Sequence, residues 1–167
     1  MADAARQLQA GGADGIVLCT NTMHSVASSI ESTVTIPLLH IADPTGAAIR
    51  QADFSRVGLL ATRFTMEGEF YRQRLTSKYG LEVLVPAAAD RALVHAVIYD
   101  ELCHGTVRAE SQRAYERVID ALAQQGAQAV ILGCTEIMLL VDPKASSLPV
   151  FDTTRLHAEA AVEWALG

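Results

Sequence analysis

Two cysteines carry matching neighbours and are the side chains best suited to acid–base chemistry. Cys19 opens the sequence Cys-Thr-Asn-Thr at residues 19–22, and Cys134 opens the sequence Cys-Thr-Glu at residues 134–136. A thiol has an ordinary pKa of about 8.5, which nearby donors lower toward neutral pH, where a general acid or base works best. Two such groups on opposite sides of one carbon can remove a proton from one face and return a proton to the other. The pair therefore predicts 1,1-proton transfer, the chemistry of racemisation.

Polar residues beside the two thiols are candidates for holding the substrate. Thr20, Asn21, Thr22 and Thr135 offer hydroxyl, amide and backbone N–H donors. Such donors bind a carboxylate and stabilise the negative charge that develops as an α-proton leaves. Glu136 has two open interpretations. Its carboxylate either orients the neighbouring thiol or a substrate ammonium group, or it caps the following turn.

Short apolar runs alternate with longer helical stretches, a pattern typical of an α/β protein with mostly parallel sheets. The predicted strands cover residues 15–19, 36–41, 57–61, 82–85, 129–132 and 148–151. The predicted helices cover residues 3–10, 23–33, 44–52, 66–79, 90–103, 108–125 and 155–166. Cys19 and Cys134 each lie at the end of a strand, and ligands bind outside the carboxyl ends of parallel strands. We therefore expect both thiols to line one cleft.

An internal repeat relates the two cysteine segments. Residues 12–20, Gly-Ala-Asp-Gly-Ile-Val-Leu-Cys-Thr, align with residues 126–135, Gly-Ala-Gln-Ala-Val-Ile-Leu-Gly-Cys-Thr, which contain one extra glycine. Residues 36–39 echo residues 148–151 in the same way. The repeat predicts two pseudo-symmetric lobes with parallel sheets flanked by helices. The expected units are a partial first lobe at 1–53, a second lobe at 54–152, and a C-terminal helix at 153–167 that packs back on the first lobe.

The two copies of the repeat are unequal. A strand–helix–strand block beginning at Val57 precedes the second copy, and its counterpart in the first copy would fall before Met1. We therefore expect the first lobe to lack its initial strand–helix–strand and the chain to be a shortened, N-terminally truncated form.

The cysteine segments resemble the two signature segments of the aspartate/glutamate racemase family. The resemblance is carried by residues 19–24, Cys-Thr-Asn-Thr-Met-His, and residues 133–137, Gly-Cys-Thr-Glu-Ile. Residues 60–66, Leu-Ala-Thr-Arg-Phe-Thr-Met, and residues 151–154, Phe-Asp-Thr-Thr, extend it along the chain. Members of this family are cofactor-independent amino-acid racemases built from two pseudo-symmetric α/β lobes. They begin with a strand and a glycine-rich loop that this sequence does not contain, which puts the activity of this chain alone in question.

The resemblance implies an activity and a set of site residues. Cys19 and Cys134 would be the paired acid–base thiols of a racemase that uses no pyridoxal phosphate or other cofactor. The substrate would be a small acidic amino acid, aspartate or glutamate, and a homodimer is a further implication. The residues that would border the substrate are Thr20, Asn21, Thr22, Thr62, Thr65, Thr135 and Glu136.

Composition excludes several other classes of protein. Half of the 167 residues are hydrophobic and the formal net charge is −6. This charge argues against a nucleic-acid surface, which needs clustered Lys and Arg. No apolar run approaches the roughly 18 residues of a membrane span. The three cysteines are odd in number and widely spaced, which favours free thiols in a reducing compartment, so we expect a cytoplasmic protein.

Two alternatives to racemisation stay open at this point. One is decarboxylation or isomerisation of a small dicarboxylate on the same scaffold, for which one thiol can suffice. The other is a non-catalytic carboxylate-binding or vestigial protein. Cys103 has no matching neighbours and is expected to be structural, as is His24. A metal site built from Cys103, His104 and His24 lacks the usual ligand spacing.

Overall fold

The computed structural model describes residues 1–167 as two parallel β-sheets flanked by helices. The strands are β1 (Ile16–Val17), β2 (Leu38–Leu39), β3 (Arg56–Ala61), β4 (Glu82–Leu84), β5 (Ala129–Gly133) and β6 (Val150–Asp152). The α-helices are α1 (Ala2–Ala10), α2 (Ala27–Glu31), α3 (Ala42–Gln51), α4 (Arg63–Glu67), α5 (Glu69–Tyr79), α6 (Ala88–Asp100), α7 (Ala109–Gln124) and α8 (Thr153–Leu166). Short 3₁₀ helices cover Thr22–Val26, Leu102–His104 and Ile137–Leu139. The predicted α/β fold with parallel sheets is confirmed.

The larger sheet has the strand order β4-β3-β5-β6, with every neighbouring pair parallel. Its central strands are continuous apolar runs because helices cover both faces of a parallel sheet. The register pairs Ala61 of β3 with Gly133 of β5. Thr62 and Cys134, the residues that follow these two, therefore leave the sheet side by side.

The smaller sheet contains only β1 and β2, paired through Ile16 with Leu38 and Val17 with Leu39. Both strands are shorter than the predicted ranges 15–19 and 36–41. The reason is that each strand has one hydrogen-bonded neighbour, so residues outside these two pairs have no ladder partner. Cys19 consequently lies two residues beyond the end of β1 instead of on the strand itself.

Two predicted helices differ from the observed ones. The helix predicted at 23–33 begins as the 3₁₀ helix Thr22–Val26 and continues as α2. The helix predicted at 66–79 is divided into α4 and α5, because Gly68 adopts an extended conformation with φ −73° and ψ 140°. The predicted stop of α5 is confirmed, since Gly80 is left-handed with φ 64°.

Two hydrophobic cores support the sheets. A cluster of 28 buried residues surrounds the larger sheet, whereas the smaller sheet packs on a cluster of four, Ala5, Ile16, Leu18 and Ile30. Helix α8 packs against α3, and Asp152 caps α8 by accepting the backbone N–H of Thr154 at 2.9 Å, as expected of a turn or cap residue. The domain boundaries after residues 53 and 152 stay predictions.

None of the helices combines the length and the apolar character that crossing a membrane requires.

Candidate active site

A cavity of about 400 Å³ lies where β3 and β5 end and where the chain leaves β1. This volume falls within the range of about 300–1,000 Å³ that is common for small-molecule sites. Both cysteines singled out from the sequence line this one cavity. Its lining residues are Cys19, Thr20, Asn21, Thr22, Met23, Thr62, Ile98, Tyr99, Cys103, Gly133, Cys134, Thr135 and Glu136.

Cys19 is exposed and sits in a tight turn just beyond β1. The backbone N–H of Thr20 donates to the carbonyl oxygen of Leu18 at 2.8 Å, which is the three-residue hydrogen bond of a γ-turn centred on Cys19. The thiol lies 3.8 Å from the carbonyl oxygen of Val17. The turn thus presents this sulfur at the cavity wall, where both solvent and a ligand have access.

Cys134 is half-buried and lies directly after β5. Its thiol donates to Oε2 of Glu136 at 2.9 Å, and the hydroxyl group of Thr135 donates to the same oxygen at 2.7 Å. Burial, followed by the hydrogen bond to this carboxylate, raises the pKa of Cys134 to about 12. The protonated thiol is therefore the form of Cys134 at neutral pH.

Glu136 is the acceptor at the centre of this arrangement. Burial acts to raise its pKa, but the hydrogen bonds donated by Cys134 and Thr135 outweigh burial and lower the pKa below its ordinary range. The ionised carboxylate at neutral pH therefore accepts the hydrogen bond of the Cys134 thiol and stabilises its protonated form. Of the two interpretations open from the sequence, orientation of the neighbouring thiol is the one that these contacts favour.

Three threonine hydroxyl groups meet beside the cavity and join the chain after Cys19 to the chain after β3. The hydroxyl group of Thr22 lies 3.0 Å from that of Thr62 and 2.9 Å from that of Thr65. Thr22 and Thr62 line the cavity, whereas Thr65 is fully buried and is not part of the lining. Thr65, which the resemblance implies would border the substrate, thus packs behind the other two.

Asn21 is buried at the cavity with its two amide atoms in different situations. Its Nδ2 donates to the hydroxyl oxygen of Thr153 at 3.0 Å, while its Oδ1 has no hydrogen-bond partner within residues 1–167. A buried acceptor without a donor is unfavourable. Because this oxygen has almost no accessible surface, a ligand in the cavity does not reach it unless the side chain of Asn21 moves.

Four further side chains line the cavity that sequence reasoning did not assign to it: Met23, Ile98, Tyr99 and Cys103. Ile98 and Tyr99 belong to α6, and Cys103 lies in the following 3₁₀ helix. Cys103, which is expected to be structural, has an exposed side chain at the cavity. These three residues fall within the predicted helix at 90–103, but it is the packing of α6 against β3 that brings them to the cavity.

A cluster of buried histidines lies behind the Cys19 turn. The backbone N–H of Ile41 donates to Nε2 of His24 at 3.2 Å, so the ring proton is on Nδ1, which donates to the carbonyl oxygen of Thr20 at 2.6 Å. The ring of His40 stacks 4.2 Å from that of His24. His24 is 2% exposed and His40 is 3% exposed, in agreement with the structural role expected for His24.

These histidines should make the fold sensitive to acid. Burial lowers the pKa of His24 to about 4 and that of His40 to about 3, from 6.5. Protonation therefore favours the unfolded chain, and the free energy of unfolding is expected to fall as the pH drops below 6.5. The contribution of His24 levels off below its folded pKa of about 4, and that of His40 below its folded pKa of about 3. Two histidines that are neutral when folded give a slope of about 2.7 kcal/mol per pH unit near pH 5.

Urea unfolding followed by circular dichroism measures this slope. His24→Gln is expected to roughly halve it, because one titrating group is removed. The matched control is His104→Gln, since His104 is exposed. The other charged or titratable groups facing the cluster are His157, Asp43 and Arg74. An unchanged slope in His24→Gln would contradict the assignment of the acid sensitivity to this cluster.

Comparisons with known proteins agree with this architecture. A candidate Asp/Glu racemase from Yersinia pestis has a solved structure that is 52% identical in sequence, with a TM-score of 0.94 over 99% of this chain and 72% of its own length. An aspartate racemase homologue from Pyrococcus horikoshii is 30% identical, with a TM-score of 0.88 over 99% of this chain and 73% of its own.

A curated relative and a family model identify the family to which the chain belongs. The broad specificity amino-acid racemase RacX of Bacillus subtilis is 28% identical over 163 residues, which are 96% of this chain and 68% of RacX. The model of the Asp/Glu/hydantoin racemase family matches residues 1–161. The predicted family resemblance is confirmed: the chain belongs to the Asp/Glu/hydantoin racemase family.

Proposed function

We propose that this protein is a cofactor-independent amino-acid racemase in which Cys19 and Cys134 exchange protons with the α-carbon of the substrate. The observation that carries the proposal is that both thiols line one cavity of about 400 Å³. Membership of the racemase family supports the reaction class.

The different surroundings of the two thiols assign their roles in one direction. The Cys19 thiolate takes the α-proton: the C–H bond breaks, its electron pair stays on carbon, and an S–H bond forms. The carbanion then takes the proton of the Cys134 thiol on the opposite face. The raised pKa of Cys134, about 12, suits this step because the group carries its proton before the reaction begins. Each such acid–base group contributes about 10²–10⁴-fold in rate.

The opposite direction needs Cys134 as the base, and here Glu136 enters. Its carboxylate lies 2.9 Å from the Cys134 sulfur and is the group that would take up the thiol proton, which leaves a thiolate to attack the α-proton. The raised pKa of the thiol and the lowered pKa of the carboxyl oppose this transfer, so the role of base is the more demanding one for Cys134. Cys19 has no carboxylate partner, since the repeat places Asn21 at the position equivalent to Glu136. Glu136 is therefore required in the direction in which Cys134 is the base, and is less important in the opposite direction.

Substrate binding is assigned to the neutral polar groups of the cavity. The hydroxyl groups of Thr20, Thr22 and Thr62 would donate to carboxylate oxygens, whereas the hydroxyl hydrogen of Thr135 is used on Glu136. Aspartate and glutamate are the expected substrates by family. Because the lining contains no Lys, Arg or His, a side-chain carboxylate would depend on these hydroxyl donors.

Chiral chromatography of incubated L-aspartate and L-glutamate tests the proposal, with L-alanine as the comparison that lacks a second carboxylate. The proposal expects the D-enantiomer to accumulate to an equal mixture, and the acidic preference expects aspartate or glutamate to turn over faster than alanine. Release of carbon dioxide without inversion would favour a decarboxylase. Saturable binding without turnover would favour a non-catalytic carboxylate-binding protein. Either result would overturn the proposed racemisation.

A further inference from the structure

We propose that Thr153 is a positioning residue: its hydroxyl group joins the segment that carries Cys19 to the strand that leads to Cys134. Thr153 is the first residue of α8 and is fully buried. It does not line the cavity, so it acts through other residues and does not touch the substrate. The importance of this link for catalysis rests on the proposed two-thiol reaction.

The hydroxyl group of Thr153 makes one hydrogen bond to each half of the site. It donates to the carbonyl oxygen of Leu132 at 2.9 Å, and it accepts the amide Nδ2 of Asn21 at 3.0 Å. Leu132 lies two residues before Cys134, and Asn21 lies two residues after Cys19. A single buried hydroxyl group therefore connects the two cysteine segments, which are more than a hundred residues apart in sequence.

The same contacts fix the orientation of the Asn21 amide. A hydroxyl group has one hydrogen, and that of Thr153 is used on the Leu132 carbonyl oxygen. Thr153 can therefore only accept from Asn21, which must present its NH₂ group to the hydroxyl oxygen. A flipped amide would bring two acceptors into contact. Thr153 thus keeps Oδ1 of Asn21 as the amide atom left without a protein partner.

This link matters because the rate of proton transfer depends steeply on the distance between the proton donor and the proton acceptor. A displacement of about 1 Å of a reacting group can lower a rate by about 10²-fold. Loss of the Thr153 hydroxyl group would leave the Leu132 carbonyl oxygen and the Asn21 NH₂ group without their buried partner. The two cysteine segments would then lose the hydrogen bonds that relate one to the other.

The kinetic test compares Thr153→Val, which keeps the shape and removes the hydroxyl group, with Thr153→Ser, which keeps the hydroxyl group. We expect Thr153→Val to lower kcat by about 10²-fold. KM should rise by less than about threefold, and Thr153→Ser should stay near the unsubstituted rate. Equal losses in the two variants would overturn the proposal, as would an unchanged kcat in Thr153→Val. If Thr153→Val does not fold, Thr153→Ala removes the same hydroxyl group.

A second readout does not depend on turnover. Alkylation by iodoacetamide, followed by mass spectrometry, gives the rate at Cys19 relative to the exposed Cys103 in the same molecule. Thr153→Val should change this ratio several-fold, whereas Thr153→Ser should not. If the unsubstituted protein fails to racemise amino acids but the ratio changes as expected, the proposed function fails and the positioning role stands. An unchanged ratio in a folded Thr153→Val variant overturns the positioning role.

Discussion

Replacement of Cys19 or of Cys134 by serine is expected to lower the rate of racemisation by at least about 10²–10⁴-fold. A serine hydroxyl group stays protonated at the pH where a thiolate forms, so it cannot take the α-proton. It is also a far weaker proton donor than a thiol. Because the proposed mechanism has the two thiols act on opposite faces of one carbon, the loss of either one should stop turnover in both directions.

The matched control for these variants is Cys103→Ser. Cys103 lines the same cavity and is exposed, but it has no place in the proposed proton transfer. We expect this variant to retain the unsubstituted rate within a few-fold. Chiral chromatography of all three variants from both enantiomers is the measurement. Near-parental racemisation by Cys19→Ser or Cys134→Ser would contradict the two-thiol mechanism.

Replacement of Glu136 by glutamine should separate the two directions of racemisation. The substitution removes the carboxylate that is proposed to take up the Cys134 proton, so kcat at saturating substrate should fall by about 10²-fold or more in the direction in which Cys134 is the base. The opposite direction should lose less, because Cys134 still carries a proton to donate. Because the two enantiomers are equal in free energy, kcat/KM stays equal in both directions, and the difference appears in kcat and KM separately. The hydrogen bond to Glu136 is second to burial among the causes of the raised pKa of Cys134. That pKa should therefore fall below about 12 in the variant and still exceed the ordinary thiol value.

Two measurements check this prediction. Initial rates at saturating concentrations of each enantiomer give the kcat values of the two directions. The ultraviolet absorbance of the thiolate in a Cys19→Ser, Cys103→Ser background follows the titration of Cys134 alone. Glu163→Gln, which removes an exposed carboxylate on α8, is the control. An equal loss in both directions, together with an unchanged thiol titration, would show that Glu136 acts only on the local structure.

The parts of the site that the sequence predicts are those that follow from local pattern. The apolar runs ending at Ala61 and Gly133 predict buried strands, and the parallel register places the residues after them at one edge of the sheet. The repeat adds the match between Cys19 and Cys134, which is why both thiols could be expected in one cleft. Each of these inferences depends on short-range periodicity or on spacing that is visible in the chain.

The parts that the sequence does not predict depend on contacts between distant segments. Thr153 follows a strand and begins a helix, and nothing in its neighbours indicates that it binds Asn21. The burial of His24 against His40 depends on how the 3₁₀ helix packs against the start of α3. Cys103 reaches the cavity because α6, which precedes it, packs against β3. The residues that flank Cys103 in the sequence do not indicate this position.

The most direct test of two opposed thiols is racemisation of a single enantiomer in deuterated water, stopped at low conversion. One thiol takes the α-proton and the other delivers a solvent-derived deuteron, so mass spectrometry should find deuterium in the newly formed enantiomer. The recovered starting enantiomer should still carry its original proton. A single acid–base group serving both faces would return the original proton to the product. If that single group exchanged its proton with solvent first, deuterium would appear in both enantiomers at similar rates. Either pattern would contradict the two-thiol mechanism.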